Sequence, residues 1–174
     1  MARSFQVASL FLTLPVRENL RLAAQGVAPA QALNCWSAPT GKLSCAETVA
    51  KVLAKIGMER YADTPAGNLS HGQQRRLEVG MALAAKPKAI FLDEPTSGMG
   101  IDDLDEMKHL IQSLKKDHTV VLIEHNMNIV MDISDVITVM QQGRVLAEGL
   151  PDDIRNDDRV RKAYLGNMIT GGKA

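Results

Sequence analysis

Aromatic side chains are scarce in this sequence, with 1 Trp, 2 Tyr and 3 Phe against 9 Met. The core must therefore be aliphatic, built from Leu, Val, Ile, Ala and Met. Cysteine is nearly absent: Cys35 and Cys45 are too few for a disulfide framework and fit reduced thiols. Net charge is also missing, since Lys+Arg and Asp+Glu each number 20. That balance argues against a generally basic nucleic-acid coat. No stretch approaches the roughly 18 uninterrupted apolar residues of a spanning helix. The apolar run Val7 to Leu14 after Arg3 is short, broken by Ser9 and Thr13, and followed by charged Arg17, Glu18 and Arg21, so a secretion signal is not expected.

What is present describes an ordinary folded chain. Its 174 residues, 45% apolar and 23% charged, suffice for one domain with a real core. Residues 16–25 read as a helix, and Gly26 to Ser44, punctuated by Gly, Pro and Ser, reads as a loop. Glu47 to Gly57 carries Val49, Val52, Leu53 and Ile56 at helical spacing and stops at a glycine. Beyond Gly67 the pattern alternates. Lys88 to Leu92 is a short apolar run ending at Asp93, with the look of a strand buried on both faces. Asp102 to Lys116 is a helix with Leu104, Met107, Leu110, Ile111 and Leu114 on one face. Thr119 to Ile123 is a second buried strand, and the strand–helix–strand unit implies parallel neighbours. Asn126 to Ile133 reads as a helix, Val136–Met140 and Arg144–Ala147 as a hairpin, and Pro151 to Tyr164 as a final helix. The expected divisions are 1–85, 86–149 and 150–174.

Parallel sheets place ligands beyond the carboxyl ends of their strands. Both strong strands end there in acid-bearing clusters, Asp93-Glu94-Pro95-Thr96-Ser97-Gly98 and Glu124-His125-Asn126. A hard carboxylate such as Asp93 suits Mg²⁺, Glu94 could polarise a water, and His125 could hydrogen-bond a phosphate or that water. Strand ends that merely meet solvent are polar as well. Upstream, Ser70 followed by Gln73 is a capping box that starts a helix running toward Ala85, with Leu77, Met81 and Leu83 or Ala84 on its packed side. The hydroxyl, backbone N–H groups, Gly72 and the helix dipole make that terminus a ready anion site, although an ordinary capped helix reads the same way.

Taken together the motifs resemble ATP-binding-cassette (ABC) ATPases. Leu69-Ser70-His71-Gly72-Gln73 is similar to the signature motif, with His71 where most members have glycine. Ile90 to Pro95 resembles the Walker B strand and its catalytic glutamate, Thr96-Ser97-Gly98-Met99 the D-loop, and Val121 to His125 the switch strand with its histidine. Ala2-Arg3-Ser4-Phe5-Gln6 is similar to the Q-loop, which places its glutamine at Gln6. Further stretches, from Leu10-Phe11 and Val16-Arg17-Glu18-Asn19 to the ending Ala147-Glu148-Gly149 and Lys162 to Gly166, look like ATPase subunits of branched-chain amino-acid importers. Urea or amide importers of the same lineage fit too.

The resemblance implies an α/β P-loop NTPase fold, here incomplete, with a helical signature subdomain and a mostly parallel sheet. It implies ATP and Mg²⁺ as cofactors, and a second ATPase subunit and membrane permease subunits as partners. The place would be the cytoplasmic face of the inner membrane. Glu94 and His125 would be catalytic, and Asp93 and Gln6 would attend the metal. Ser70, His71, Gly72, Gln73, Gln6 and Gly98 would meet nucleotide, the signature residues serving ATP held on the partner. These 174 residues contain no G-x-x-x-x-G-K-[ST]. Gly41-Lys42 fails as one, because Trp36 stands where the motif demands glycine. The expectation is truncation before the Q-loop, or a degenerate subunit acting as a non-catalytic partner that lends its signature motif. Either way, no hydrolysis by this polypeptide alone is expected. Gly100 departs from the D-loop aspartate, and Leu150 caps the last helix poorly. ABC-type ATPases acting on DNA or ribosomes usually carry long insertions, which are not visible here.

Overall fold

A computed structural model describes residues 2–3, 10–25 and 42–163, which fall into two compact units, Met1–Glu124 and His125–Ala174. In the first unit a tight turn ending at Pro15 leads into α1 (Val16–Gln25). Asn19, fully buried on α1, folds back on that turn and bonds the backbone of Phe11, Leu14 and Pro15. Helix α2 (Lys42–Lys55) starts earlier than the expected Glu47. Ser44 and Cys45 are tolerated inside a helix, and the strong breakers, Pro39 and Gly41, lie ahead of it. Gly41 itself is outside the described residues. At the other end Gly57 takes a φ of +65°, with Met58 N–H bonded to Leu53 O and Gly57 N–H to Ala54 O. That is a Schellman stop, which needs a residue free of the Cβ penalty.

Helix α3 (His71–Ala84) begins at the expected capping box and buries Leu77, Val79, Leu83 and Ala84. Met81 is only half-buried, because the packed stripe runs through Gly80 instead. A Cβ at Gly80 would lie 2.7 Å from Ile56 and within 3.3 Å of Leu20 and Val52, so α1, α2 and α3 converge there. The strands β1 (Ala2–Arg3), β2 (Ala89–Asp93) and β3 (Thr119–Ile123) form a parallel sheet in that order, Ala89 opposite Thr119 and Asp93 opposite Ile123. Helix α4 (Ile101–Leu114) connects β2 to β3 and buries Met107, Leu110, Ile111 and Leu114. As the composition requires, no aromatic side chain is buried among the described residues.

One strand departs from expectation. β2 buries Ile90 and Leu92, whereas β3 alternates exposed and half-buried, with Val121 39% and Ile123 57% exposed. A continuous Val/Ile run does not reveal whether both faces are covered. β3 is the edge of this sheet.

The second unit contains α5 (Met127–Ile133), the antiparallel hairpin of β4 (Ile137–Gln141) and β5 (Arg144–Gly149), and α6 (Pro151–Asn156). Ile137, Ala147, Ile154 and Val160 form its core. The expected single helix from Pro151 to Tyr164 is interrupted: Asp157 is extended, and a new helical turn covers 158–163. Asp157 Oδ1 accepts from the N–H groups of Arg159 (2.7 Å) and Val160 (3.4 Å), so its side chain starts a second helix. Arg159 beside it holds the Asp157 carboxyl down at about 2. Leu150, at the cap of α6, makes no side-chain cap bond, as its chemistry dictates.

Candidate functional site

Three segments of the first unit meet: the start of α3, the loop after β2, and the start of α4. Ser70 Oγ accepts from Gln73 N–H (3.2 Å), and Gln73 Oε1 accepts from Ser70 N–H (2.9 Å). The amides of His71 and Gly72 stand in the first turn, where a helix offers no internal acceptor. His71 Nε2 lies 3.3 Å from Ser97 O, a pure acceptor, so the imidazole donates from Nε2. Gly72 is buried, and a Cβ there would overlap the Asp103 carboxylate. Gly98 has a φ of +73°, and a Cβ on it would sit 3.4 Å from the His71 ring. Glycine at 72 makes room for the Asp103 side chain, and glycine at 98 meets the positive φ of its turn. Ser70, His71, Gly72, Gln73 and Gly98 are thus brought together.

The basic residues of the signature helix are held in ion pairs. Arg76, nearly buried, pairs with Glu106 on α4 at 2.5 Å, and Arg75 pairs with Glu78 at 2.8 Å. Burial pushes the Glu78 carboxyl up, against the opposing pull of Arg75. The Arg76–Glu106 pair ties α3 to α4, whereas Arg75–Glu78 lies within α3.

Asp93 closes β2 opposite Ile123, and Glu94 follows with a φ of +45°. Its N–H continues the ladder one rung by bonding Ile123 O at 2.9 Å. Two residues on, Thr96 is buried, and both its N–H and its hydroxyl donate to Glu124 Oε1, the N–H at 3.1 Å. His125, exposed, is the first residue of the second unit, and Asn126 caps α5 by accepting from Asn128 N–H at 3.1 Å. Gln6 lies outside the described residues.

Sequence reasoning placed Glu124 in an acid cluster and gave it no role, and it missed the Arg76–Glu106 pair. For Glu124 a signal existed: an acid placed directly after an apolar strand, in register with the acids ending its neighbour. For Arg76 none did, since its partner lies on another helix.

Residues 1–97 match the family model of the ABC transporter, and residues 144–168 that of the branched-chain amino acid ATP-binding cassette transporter. Among curated relatives, the high-affinity branched-chain amino acid transport ATP-binding protein BraF of Pseudomonas aeruginosa is 38% identical over 172 residues, covering 95% of this chain and 68% of the relative. LivG of Escherichia coli K12, named for the same transport, is 37% identical with the same coverage. A solved ATP-binding cassette of an ABC transporter in its ADP conformation superposes with a TM-score of 0.77 at 28% identity, covering 95% of this chain and 68% of that one. A nucleotide-free cassette gives 0.75 at 28%, covering 94% and 67%. The expected P-loop NTPase fold class stands on these neighbours. With 97 of its 174 residues matched by one family model and a relative above 30% identity two-thirds covered, the chain belongs to the ABC transporter ATP-binding family.

Proposed function

We propose that this chain is the ATP-binding subunit of an importer for branched-chain or related hydrophobic amino acids, working at the cytoplasmic face of the membrane. The observation that carries the reading is the contact of a capped helix terminus with the loop that follows the β2 acids and with the start of α4: His71 on Ser97 O, and Gly72 against Asp103. Such a terminus presents N–H groups and a positive dipole to an anion. In this reading Ser70 and Gly72 face the phosphates of ATP held by a second subunit, with His71 and Gln73 fixing the terminus. The transported class comes from the names of the relatives and from the match over 144–168.

The strand end suits Mg²⁺. Among the described residues no group of three or more His, Cys, Asp or Glu converges as an all-protein cage. Mg²⁺ in nucleotide sites takes one or two carboxylates and completes its shell with phosphate and water. Asp93 would hold it through water, and Gln6 would be its second protein neighbour. When bound, the ion neutralises charge on the phosphate oxygens. Glu94 would accept a proton from the attacking water, and His125 is the histidine that the family resemblance assigns to support that water.

The permease would dock on the helices before Ser70. A cavity of about 730 Å³ there has an apolar floor of Val49, Ala50 and Leu53 and a rim carrying Arg17, Glu18 and Arg21. An amphipathic cytoplasmic helix of the membrane subunit fits that chemistry. No described helix is long and apolar enough to cross a membrane, so the permease would hold the subunit there.

The test is ATP turnover by the transporter assembled with this subunit. Glu94→Gln lowers kcat by about 10²–10⁴, and Ser70→Arg abolishes turnover by crowding the nucleotide. Loss with Ser70→Arg alone would mark a non-catalytic partner that lends its signature motif. Turnover indifferent to both would refute the reading.

A further inference from the structure

We infer that Glu124 is a positioning residue for Glu94, acting through Thr96. The inference deepens the reading of Glu94 as the residue that polarises water, and rests on it for its functional meaning. Glu94 adopts a φ of +45°, a region in which a side chain's Cβ crowds the following carbonyl oxygen. The following Pro95 narrows its choices further. Such a conformation persists only where its surroundings over-determine it.

Two fixed points do so here. On one side Glu94 N–H is tied to Ile123 O at 2.9 Å, the last rung between β2 and β3. On the other, Thr96 donates twice to a single oxygen of Glu124. The span between them contains only Glu94 and Pro95, and Pro95 has little backbone freedom of its own. Ser97 N–H then closes the turn on Glu94 O at 3.1 Å, and Met99 N–H reaches Thr96 O at 3.3 Å. Consecutive residues of one strand end, Ile123 by its carbonyl and Glu124 by its carboxylate, therefore clamp the loop before and after the strained residue.

The choice of a carboxylate is informative. Two donors converging on one oxygen form charge-assisted bonds, roughly twice as strong as neutral ones. The other oxygen, Oε2, is buried with no hydrogen-bond partner among the described residues, a costly arrangement for packing alone. The same loop carries Ser97 O, which receives His71 Nε2, so the latch also steadies the contact with the signature helix.

The experiment is nuclear magnetic resonance on the full chain, comparing wild type with Glu124→Ala, Thr96→Val and Thr96→Ser. Amide exchange is read at Glu94 and Ser97, and the backbone carbon shifts of Glu94 report its φ. Glu124→Ala and Thr96→Val raise exchange at both amides by about tenfold or more and move the Glu94 shifts out of the left-handed range. Thr96→Ser, which keeps both donors, restores both readouts, and amides within β2 stay at wild-type rates. Unchanged Glu94 and Ser97 in both disruptive variants, acceleration spread evenly over the sheet, or no rescue by Thr96→Ser would each overturn the inference. If Glu124→Ala fails to fold, the Thr96 pair decides. No nucleotide enters this measurement, so failure of the latch is separable from failure of the ATPase reading, which the Glu94→Gln turnover assay reports.

Discussion

Replacing Asn19 by Ala removes a fully buried side chain whose oxygen and nitrogen both bond to backbone. Its Oδ1 accepts from Phe11 N–H at 2.9 Å, and its Nδ2 reaches the carbonyls of Phe11, Leu14 and Pro15 at 3.1–3.2 Å. Nδ2 has two hydrogens, so three acceptors share two bonds. Each of those carbonyls also receives a backbone N–H: Phe11 O from Leu14, Leu14 O from Ala66, Pro15 O from Glu18 and Asn19. Losing Nδ2 therefore orphans none of these carbonyls, while Phe11 N–H loses its bond to Oδ1. Three ordinary bonds at about 0.5–1.5 kcal/mol each, less what water restores near exposed Phe11, give a loss of about 2–3 kcal/mol. Asn19→Asp is worse at neutral pH, because it keeps the acceptor for Phe11 N–H but buries a charge facing three carbonyls. That environment raises the folded pKa of the new acid, so the penalty shrinks as pH falls through it and the protonated oxygen becomes a donor again. Urea unfolding followed by circular dichroism, at neutral and mildly acidic pH, reads both effects. Asn19→Ala within about 0.5 kcal/mol of wild type, or Asn19→Asp no worse than Asn19→Ala at neutral pH, would refute this reasoning.

Two further substitutions test local structure. Ser70→Ala removes one half of the reciprocal cap on α3 and costs about 1 kcal/mol in urea unfolding; adding Gln73→Ala costs less than the sum of the singles, because the two bonds form one box. Asp157, held at about 2 in the folded chain against 3.8 free, contributes stability that is complete above 3.8 and lost as pH falls through about 2. Exchange at the amides of 159 and 160 should therefore rise across that window, and Asp157→Asn should flatten the pH dependence.

Local rules explain what could be read from the chain. The capping box at Ser70, the glycine stop at Gly57 and the hairpin of β4 and β5 each follow from spacing within a few residues, and the parallel pairing of β2 with β3 follows from the strand–helix–strand order. Long-range placement was not legible. Whether β3 is covered on both faces depends on neighbours that its own Val/Ile run does not encode, and Val121 and Ile123 prove exposed. Asp157 reads equally well as helix interior or helix cap, and its own side chain decided for the cap. At the site, the residue types at 70–73 and 93–94 were readable because their chemistry is local. The Thr96–Glu124 latch and the approach of Gly72 to Asp103 join residues far apart in sequence, and only folding brings them together.

Paramagnetic relaxation offers a direct view of the phosphate site. With Mn²⁺-ATP added to this chain in complex with the second ATP-binding subunit proposed above, the amides of Asp93 and Glu94 and those of Ser70 to Gln73 should broaden selectively, while the β4–β5 hairpin stays sharp. Broadening that spares both segments, or falls evenly across the chain, would contradict a site built for the terminal phosphates of ATP.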